Sequence, residues 1–463
     1  MALAASLEAA GHDVSAVDAT TLARPWTDLA ERLHLGRYDV IGVTAQAATF
    51  HNDAVAAVRL ARRQVPGAVI LAGGSHASLN AERLFAEAPQ LDYLLFGEGE
   101  RTLLELVDKL GQGPEAGRGL AGVAWRREDG SVAYGPARPL IDDLDSLPMP
   151  AYHAFDLEND TYYLHGMGRR TVGISTSRGC GDRCSYCSES QFWTGRWRGR
   201  SGPLVVEEMR HLQARYGKSL FVFNENSFNQ SRERNEAFLE SLGRSGLKCD
   251  YWFQSRVKDI LRDRDLLKDF KRLGLYEVML GVESVSPEVL RHYAKKHDAE
   301  QVREAAALLR ENGIMVMTNV MFGDAGDTED SLRHMYELVT EIGDFLVLTI
   351  TTPLPGTPYH ARALADGRIE EGDFAKYDFM NPIMRNETLT REAILALQKK
   401  YLRRYYTRPS VFWKMLFSTN PFVTMAYRLI MRYAWYEARQ KQWYQPNYQP
   451  IPAGLAGPEA SHV

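Results

Sequence analysis

Twice along this chain, short apolar runs that end in glycine or polar residues alternate with stretches of helical periodicity. In the first block Ala2 to Ala10 reads as a helix stopping at Gly11, and His12 to Val17 reads as a short strand. Tyr38-Asp-Val-Ile-Gly-Val-Thr44 and Ala68-Val-Ile-Leu-Ala-Gly73-Gly74 read as buried strands on either side of a helical Asn52 to Gln64. Leu91-Asp-Tyr-Leu-Leu-Phe96 repeats the arrangement before Gly97-Glu98-Gly99-Glu100. Such alternation dictates an open parallel sheet, because two parallel strands need a crossover long enough to hold a helix. Ligands of these sheets sit at the carboxyl ends of the strands, where glycine lets the backbone approach closely.

The second block starts at Thr171. Strand-like runs at Ser219–Phe223, Tyr251–Arg256, Tyr276–Ser284, Ile314–Gly323 and Phe345–Thr351 are separated by helical stretches such as Pro203–Tyr216, Gln301–Asn312 and Ser331–Ile342. Six such units imply a partial (β/α)6 TIM-like barrel with its chemistry at the strand carboxyl ends. Cys180 to Cys187, Asn226, Arg256, Glu283 and Gly323 all fall there. Between the blocks, Gly130-Ser and Pro136 mark a small hairpin and Leu147-Pro-Met-Pro150 an extended bridge. Tyr162 to Arg170 is a glycine-rich loop that either lies over the active site or is solvated. The fold class expected is α/β: a Rossmann-like domain over 1–140, a linker over 141–170, the barrel over 171–370, a helical region over 371–445, and a disordered Pro/Gly/Ala-rich tail over 446–463.

Three of the four cysteines fall within eight residues, as Cys180-Gly-Asp-Arg-Cys184-Ser-Tyr-Cys187. An odd cluster is not a disulfide framework. Soft thiolates at this density suit an iron–sulfur cluster. Zinc would want a fourth ligand close by, whereas the next cysteine is Cys249, with only His211 between. Three protein ligands leave one iron open to a small molecule. Cys249 reads as a small buried hydrophobe with no role.

At 463 residues, a net charge of -4 and a pI near 6.3 give no whole-chain reason to expect nucleic acid. The start lacks a cationic signal region and no apolar run reaches about 18 residues, so the expected setting is a reducing cytoplasm.

The C-x3-C-x2-C spacing, with Tyr186 before the last cysteine, resembles the signature of the radical S-adenosylmethionine (SAM) enzymes. That resemblance implies a 4Fe-4S cluster on Cys180, Cys184 and Cys187, with SAM chelating the open iron. Around it, Glu283 suits SAM hydroxyls or its amine, Arg256 its carboxylate, and Tyr186 its adenine, while Gly323 permits close approach. The plainer reading of Glu283 and Arg256 is an internal ion pair. In the family the second strand commonly ends in an acidic residue; here the stretch is Asn224-Glu225-Asn226.

Gly73-Gly-Ser-His-Ala-Ser78 followed by Phe96-Gly-Glu-Gly-Glu100 resembles the cobalamin-binding domain fused to many radical SAM enzymes. The likeness implies that Gly73, Gly74, Ser78, Gly97, Glu98 and Gly99 line a cobalamin; tight βα turns are the alternative. No Asp-x-His-x-x-Gly is present, so no lower axial ligand is carried over, and His12, His51 and His76 read as turn or surface histidines. The usual first strand is missing. Either the chain's start lies too late or cobalamin binding is weakened.

Ser188 to Arg198, Arg256 to Asp263, Thr352-Pro-Leu-Pro-Gly-Thr-Pro358, Tyr377 to Arg385, Leu389-Thr-Arg and Tyr401 to Arg408 are similar to the group of the anaerobic magnesium-protoporphyrin monomethyl ester cyclase. The similarity spans roughly residues 38–410. It implies oxidative cyclisation of a tetrapyrrole-like small molecule, with a low-potential donor such as flavodoxin or ferredoxin. The alternatives are a cobalamin-dependent methyltransferase acting on unactivated carbon and a non-catalytic cobalamin/Fe–S binding protein. The basic, aromatic stretch Lys399 to Tyr444 is expected to pack across the barrel mouth; peripheral membrane contact, suiting a lipid or tetrapyrrole, is the other reading.

Overall fold

The computed structural model describes residues 1–158, 170–417, Tyr427 and 449–456. The loop Tyr162 to Arg170 therefore lies outside the described residues except at Arg170, as does most of the aromatic stretch beyond 417.

The first sheet runs in the order β1 (Val40–Thr44), β2 (Val69–Gly73), β3 (Tyr93–Leu95), β4 (Val123–Arg126), β5 (Val132–Tyr134). β1, β2 and β3 are parallel, and the β4–β5 hairpin closes the far side antiparallel. Helix His51–Gln64 covers one face through Ala54, Val55, Val58 and Ala61, all buried. β1 is the edge. His12 to Val17 is not a strand. Among the described residues no strand lies beyond β1 to receive it, and an isolated extended segment has no ladder to join.

The second sheet follows chain order: β6 (Thr171–Ile174), β9 (Leu220–Phe223), β10 (Asp250–Arg256), β11 (Leu275–Glu283), β12 (Met315–Phe322), β13 (Phe345–Ile350). Every neighbour pair is parallel, giving a six-stranded open half-barrel. Two short strands, β7 (Ser177–Arg178) and β8 (Arg198–Gly199), form a separate antiparallel ribbon across the cysteine loop. The core is aromatic: Phe223 stacks on Tyr251 at 5.3 Å and Phe228 on Phe253 at 4.7 Å. Each such ring, fully buried, contributes about 1.5–3 kcal/mol.

Helix Arg391–Tyr406 carries the start of the Lys399 to Tyr444 stretch, most of which beyond 417 lies outside the described residues. The helix runs along the free edge of β13, where Gln398 donates to the Leu348 carbonyl (3.0 Å). The Tyr406 hydroxyl donates to the Leu346 carbonyl (2.7 Å) and accepts from the Leu346 N–H (3.2 Å). Edge-strand backbone groups need partners, and this helix supplies them. In the tail, 449–456 are held in place. Leu455 is buried against the first domain, Arg63 donates to the Gly454 carbonyl (2.8 Å), and Trp26 donates to that of Gln449 (3.3 Å). One apolar side chain and a set of captured carbonyls hold 449–456 that composition alone marked as loose. Among the described residues, no helix is long and apolar enough to cross a membrane.

Candidate active site

The three thiols lie on one loop between β7 and helix Ser188–Phe192, beside the carboxyl ends of β10 and β11. Cys184 is buried, and Cys180 and Cys187 are half-buried. Burial pushes the Cys187 thiol up to about 12 and raises that of Cys184. The loop is held from both sides. Gly181 donates its N–H to Gln230 (2.9 Å), and Ser190 donates to the carbonyls of Cys184 (3.1 Å) and Cys187 (2.9 Å). Among the described residues, no three His, Cys, Asp or Glu side chains converge as they would about one ion. Ligands to separate irons of one cube stand farther apart than ligands to a single ion, so three soft thiols on one loop fit a cluster with one open iron.

Arg256 is committed to this loop. Its Nη1 meets Asp182 at 3.0 Å, and Nε and Nη2 grip Asp259 at 2.5 and 3.0 Å. The sequence assigned it to a ligand carboxylate; its donors instead tie the cysteine loop to the end of β10. Glu283 sits at a bulge in β11 with φ of 58°. A non-glycine residue pays about 1–3 kcal/mol to hold such a conformation. Its carboxylate takes Lys295 at 2.8 Å and Asn319 at 3.2 Å, and Tyr186 also bonds to it. The ion-pair reading thus describes Glu283 among protein groups. Tyr186 packs edge-on against Tyr293 at 4.9 Å. Gly323, at φ of 82°, has Ile394 at 3.1 Å from where a Cβ would stand, so helix Arg391–Tyr406 accounts for its being glycine.

Sequence reasoning missed Lys295. It is half-buried, and its charge is favoured above the ordinary lysine range despite desolvation, because Glu283, Cys184 and Asp182 surround it. A lone lysine between two helices carries no sequence signal; only the fold brings it to the thiols. Glu225 is also buried, at the end of β9, accepting from the Thr176 N–H at 3.2 Å. Burial raises its carboxyl, while Thr176 and Arg234 pull it down.

In the first domain the glycine motifs meet through Ser78. Its hydroxyl donates to the Gly74 carbonyl (2.8 Å) and accepts the Gly97 N–H (3.2 Å), joining the turns after β2 and β3. Gly74, at φ of 114°, would set a Cβ 2.5 Å from the Ala45 carbonyl oxygen. Its reason is close backbone packing. Gly73 ends β2, and a Cβ on Gly99 would stand 3.0 Å from Leu3. Gly97, at φ of 78°, has open space where a side chain would be, which fits a cradle for a large planar group. Glu98 gives its carboxylate to Arg178 and Arg198.

His51 and His76 are neither turn nor surface residues. Both are buried, with His51 Nδ1 and His76 Nε2 3.0 Å apart and His51 Nε2 3.1 Å from Glu87. Arg83 holds the other Glu87 oxygen at 2.6 Å and lies 3.7 Å over the Phe374 ring. This polar knot lies behind Ser75–Leu79. The alternation that makes a helix amphipathic gave no warning of a buried histidine pair. Helix Ser75–Leu79 packs against Ser188–Phe192, so the two domains meet where their glycine and cysteine loops come together.

An α/β domain with an open glycine turn is thus set against a half-barrel bearing a three-thiol loop. The radical SAM superfamily model matches residues 174–339 and the B12-binding domain model matches residues 1–107. The chain is 31% identical over 408 residues to an anaerobic magnesium-protoporphyrin IX monomethyl ester cyclase of Rubrivivax gelatinosus, covering 87% of this chain and 72% of that one. It is 29% identical to an uncharacterized methyltransferase of Pyrococcus horikoshii, covering 91% and 90%. The fold is similar to the radical SAM methyltransferase TsrM from Kitasatospora setae with cobalamin and a 4Fe-4S cluster bound, with a TM-score of 0.75, 20% identity and 95% of each chain covered. The chain belongs to the cobalamin-dependent radical SAM enzymes. Its cofactors are a 4Fe-4S cluster, S-adenosylmethionine and cobalamin.

Proposed function

We propose that Cys180, Cys184 and Cys187 hold the cluster and that the enzyme carries out an oxidative, cyclase-like reaction on a tetrapyrrole-like small molecule. The observation that carries the site is the single loop of three thiols, fixed by Arg256 and flanked by Lys295. Bound by these three thiolates, a 4Fe-4S cluster would supply the one-electron reduction of SAM on which hydrogen abstraction from the substrate depends. The chain's own residues prepare this. Arg256 and Gln230 hold the loop, Lys295 offsets negative charge beside Cys184, and the Glu283–Tyr186–Asn319 group forms the adjoining wall. The reaction class draws support from the likeness to the cyclases. A methyl transfer is the second reading, favoured by the similarity to the Pyrococcus horikoshii methyltransferase along nearly its whole length. A low-potential donor such as flavodoxin or ferredoxin would supply the electron, and a reducing cytoplasm is the setting.

Anaerobic reconstitution with iron, sulfide and cobalamin, followed by SAM and reductant, tests this. Formation of 5′-deoxyadenosine that is lost in Cys184→Ala and kept in Cys249→Ala is the expected result. Its persistence in Cys184→Ala overturns the ligand assignment. S-adenosylhomocysteine accumulating beside 5′-deoxyadenosine selects methyl transfer over oxidation.

A further inference from the structure

Where the two domains meet, three buried charged side chains and the half-buried Arg178 form one network. Arg178 Nη1 lies 2.7 Å from Glu98 Oε1 and its Nη2 lies 2.6 Å from Glu100. Arg198 Nη1 lies 2.8 Å from the other Glu98 oxygen, which also accepts the Ile141 N–H at 2.6 Å. Side-chain exposures are 3% for Glu98, 5% for Arg198, 7% for Glu100 and 18% for Arg178. Two carboxylates meet two guanidiniums, so the charge is balanced. Both guanidiniums also sit over the Trp193 ring, at 5.9 and 5.3 Å, and Trp193 is held by Glu189 at 2.7 Å.

The placement is what matters. Glu98 belongs to the turn between Gly97 and Gly99 in the first domain. Arg178 precedes the first cluster cysteine by two positions and is paired across the ribbon with Arg198. Glu189 lies two positions beyond the last. The carboxylate of one residue thus grips both strands that frame the cysteine loop. Stability alone is a poor account of this. Charges lose their hydration when buried, and apolar residues of similar size would seal the same junction at least as well. Arg198 even leaves Nε and Nη2 buried without an acceptor. What two bidentate-capable arginines on one carboxylate provide, and an apolar contact lacks, is a single fixed register.

We infer that Glu98 is a positioning residue that sets the offset between the cobalamin-side turn and the cluster loop through Arg178 and Arg198. The inference rests on the cluster assignment proposed above. Its consequence is coupling: the distance between the two cofactors decides how often a radical event ends in product. Glu98→Leu removes both arginine contacts and the charge, while Glu98→Gln keeps the shape and an acceptor for the Ile141 N–H.

The test uses the full chain loaded with cobalamin and cluster, reduced so that both cob(II)alamin and the cluster are paramagnetic. The readout is the enhancement of cob(II)alamin electron-spin relaxation by the cluster, which falls steeply with separation. The expected order is wild type, then Glu98→Gln, then Glu98→Leu, with iron and cobalamin contents unchanged. Productive turnover should fall by on the order of 10- to 100-fold in Glu98→Leu while 5′-deoxyadenosine still forms, as displacements of about 1 Å do elsewhere. If Glu98→Leu does not fold, Glu98→Gln and Arg178→Lys are read in its place. Unchanged relaxation in variants that hold both cofactors overturns the positioning role and leaves the cluster assignment intact. A wild-type cluster signal that persists in Cys184→Ala overturns both.

Discussion

Nζ of Lys295 lies 2.8 Å from Oε1 of Glu283, with side-chain exposures of 10% and 6%, beside the cysteine loop. A pair so placed is expensive to break from one side. Lys295→Met leaves the Glu283 carboxylate with Asn319 and Tyr186 but no cation, and should cost about 3–5 kcal/mol in urea unfolding of the apoprotein. The double variant Lys295→Met, Glu283→Leu should recover most of that loss. Equal midpoints for wild type and the single variant would show that the pair holds nothing.

Arg256 makes its contacts with geometry that a lysine does not reproduce, because only the guanidinium spans Asp182 and both oxygens of Asp259. Arg256→Lys is therefore expected to lower iron and sulfide bound after reconstitution severalfold, with the far-UV spectrum retained. Normal loading with a raised KM for SAM would return Arg256 to the ligand-binding role read from sequence.

The histidine pair makes the first domain sensitive to acid. Burial, together with His51 and Arg83, pushes His76 down to about 3, from 6.5. Burial alone would raise Glu87, but hydrogen bonds from His51 and Arg83 hold it at about 2, from 4.5. Below 6.5 the unfolded chain binds a proton at His76 that the folded chain refuses, so folding weakens as pH falls. Glu87 adds to this between 4.5 and about 2. Asp327 and Glu277, lifted by burial to about 7 and about 8, act oppositely, weakening the fold as pH rises toward those values. A His76→Gln variant isolates the first effect. The advantage of wild type over it in urea should shrink by up to about 1.4 kcal/mol per pH unit between pH 6.5 and 5. A constant gap would sink the assignment.

Leu455 is buried at 3% exposure in a segment far along the chain from the domain it packs on. Leu455→Ala should cost that domain about 2 kcal/mol, the lower end for a buried leucine. Faster hydrogen exchange confined to helix His51–Gln64 is the measurement. Exchange that changes equally in both domains would mean the contact is not local.

The strand and helix alternation was legible because burial on both faces of a parallel sheet writes itself as continuous apolar runs such as Val278 to Val282. The three cysteines were legible because their ligand set is local in sequence. What stayed hidden was non-local. Lys295, the His51–His76 pair and the Arg178–Glu98 contact each join residues that no spacing rule connects. The protein partners of Glu98, Arg256 and Ser78, and the packing of Ile394 on Gly323, were likewise beyond what position in the sequence could show. His12 to Val17 had strand-like residues without a neighbouring strand, and local propensity yields to pairing.

Helix Arg391–Tyr406 has a consequence beyond packing. By meeting the outer N–H and carbonyls of β13 with Gln398 and Tyr406, it removes a template on which another chain's strand would lengthen the sheet. Until this late-synthesised helix docks, the growing polypeptide presents a bare, apolar strand edge to every neighbour emerging beside it. Two side chains thus do for β13 what a seventh strand would do in a closed sheet.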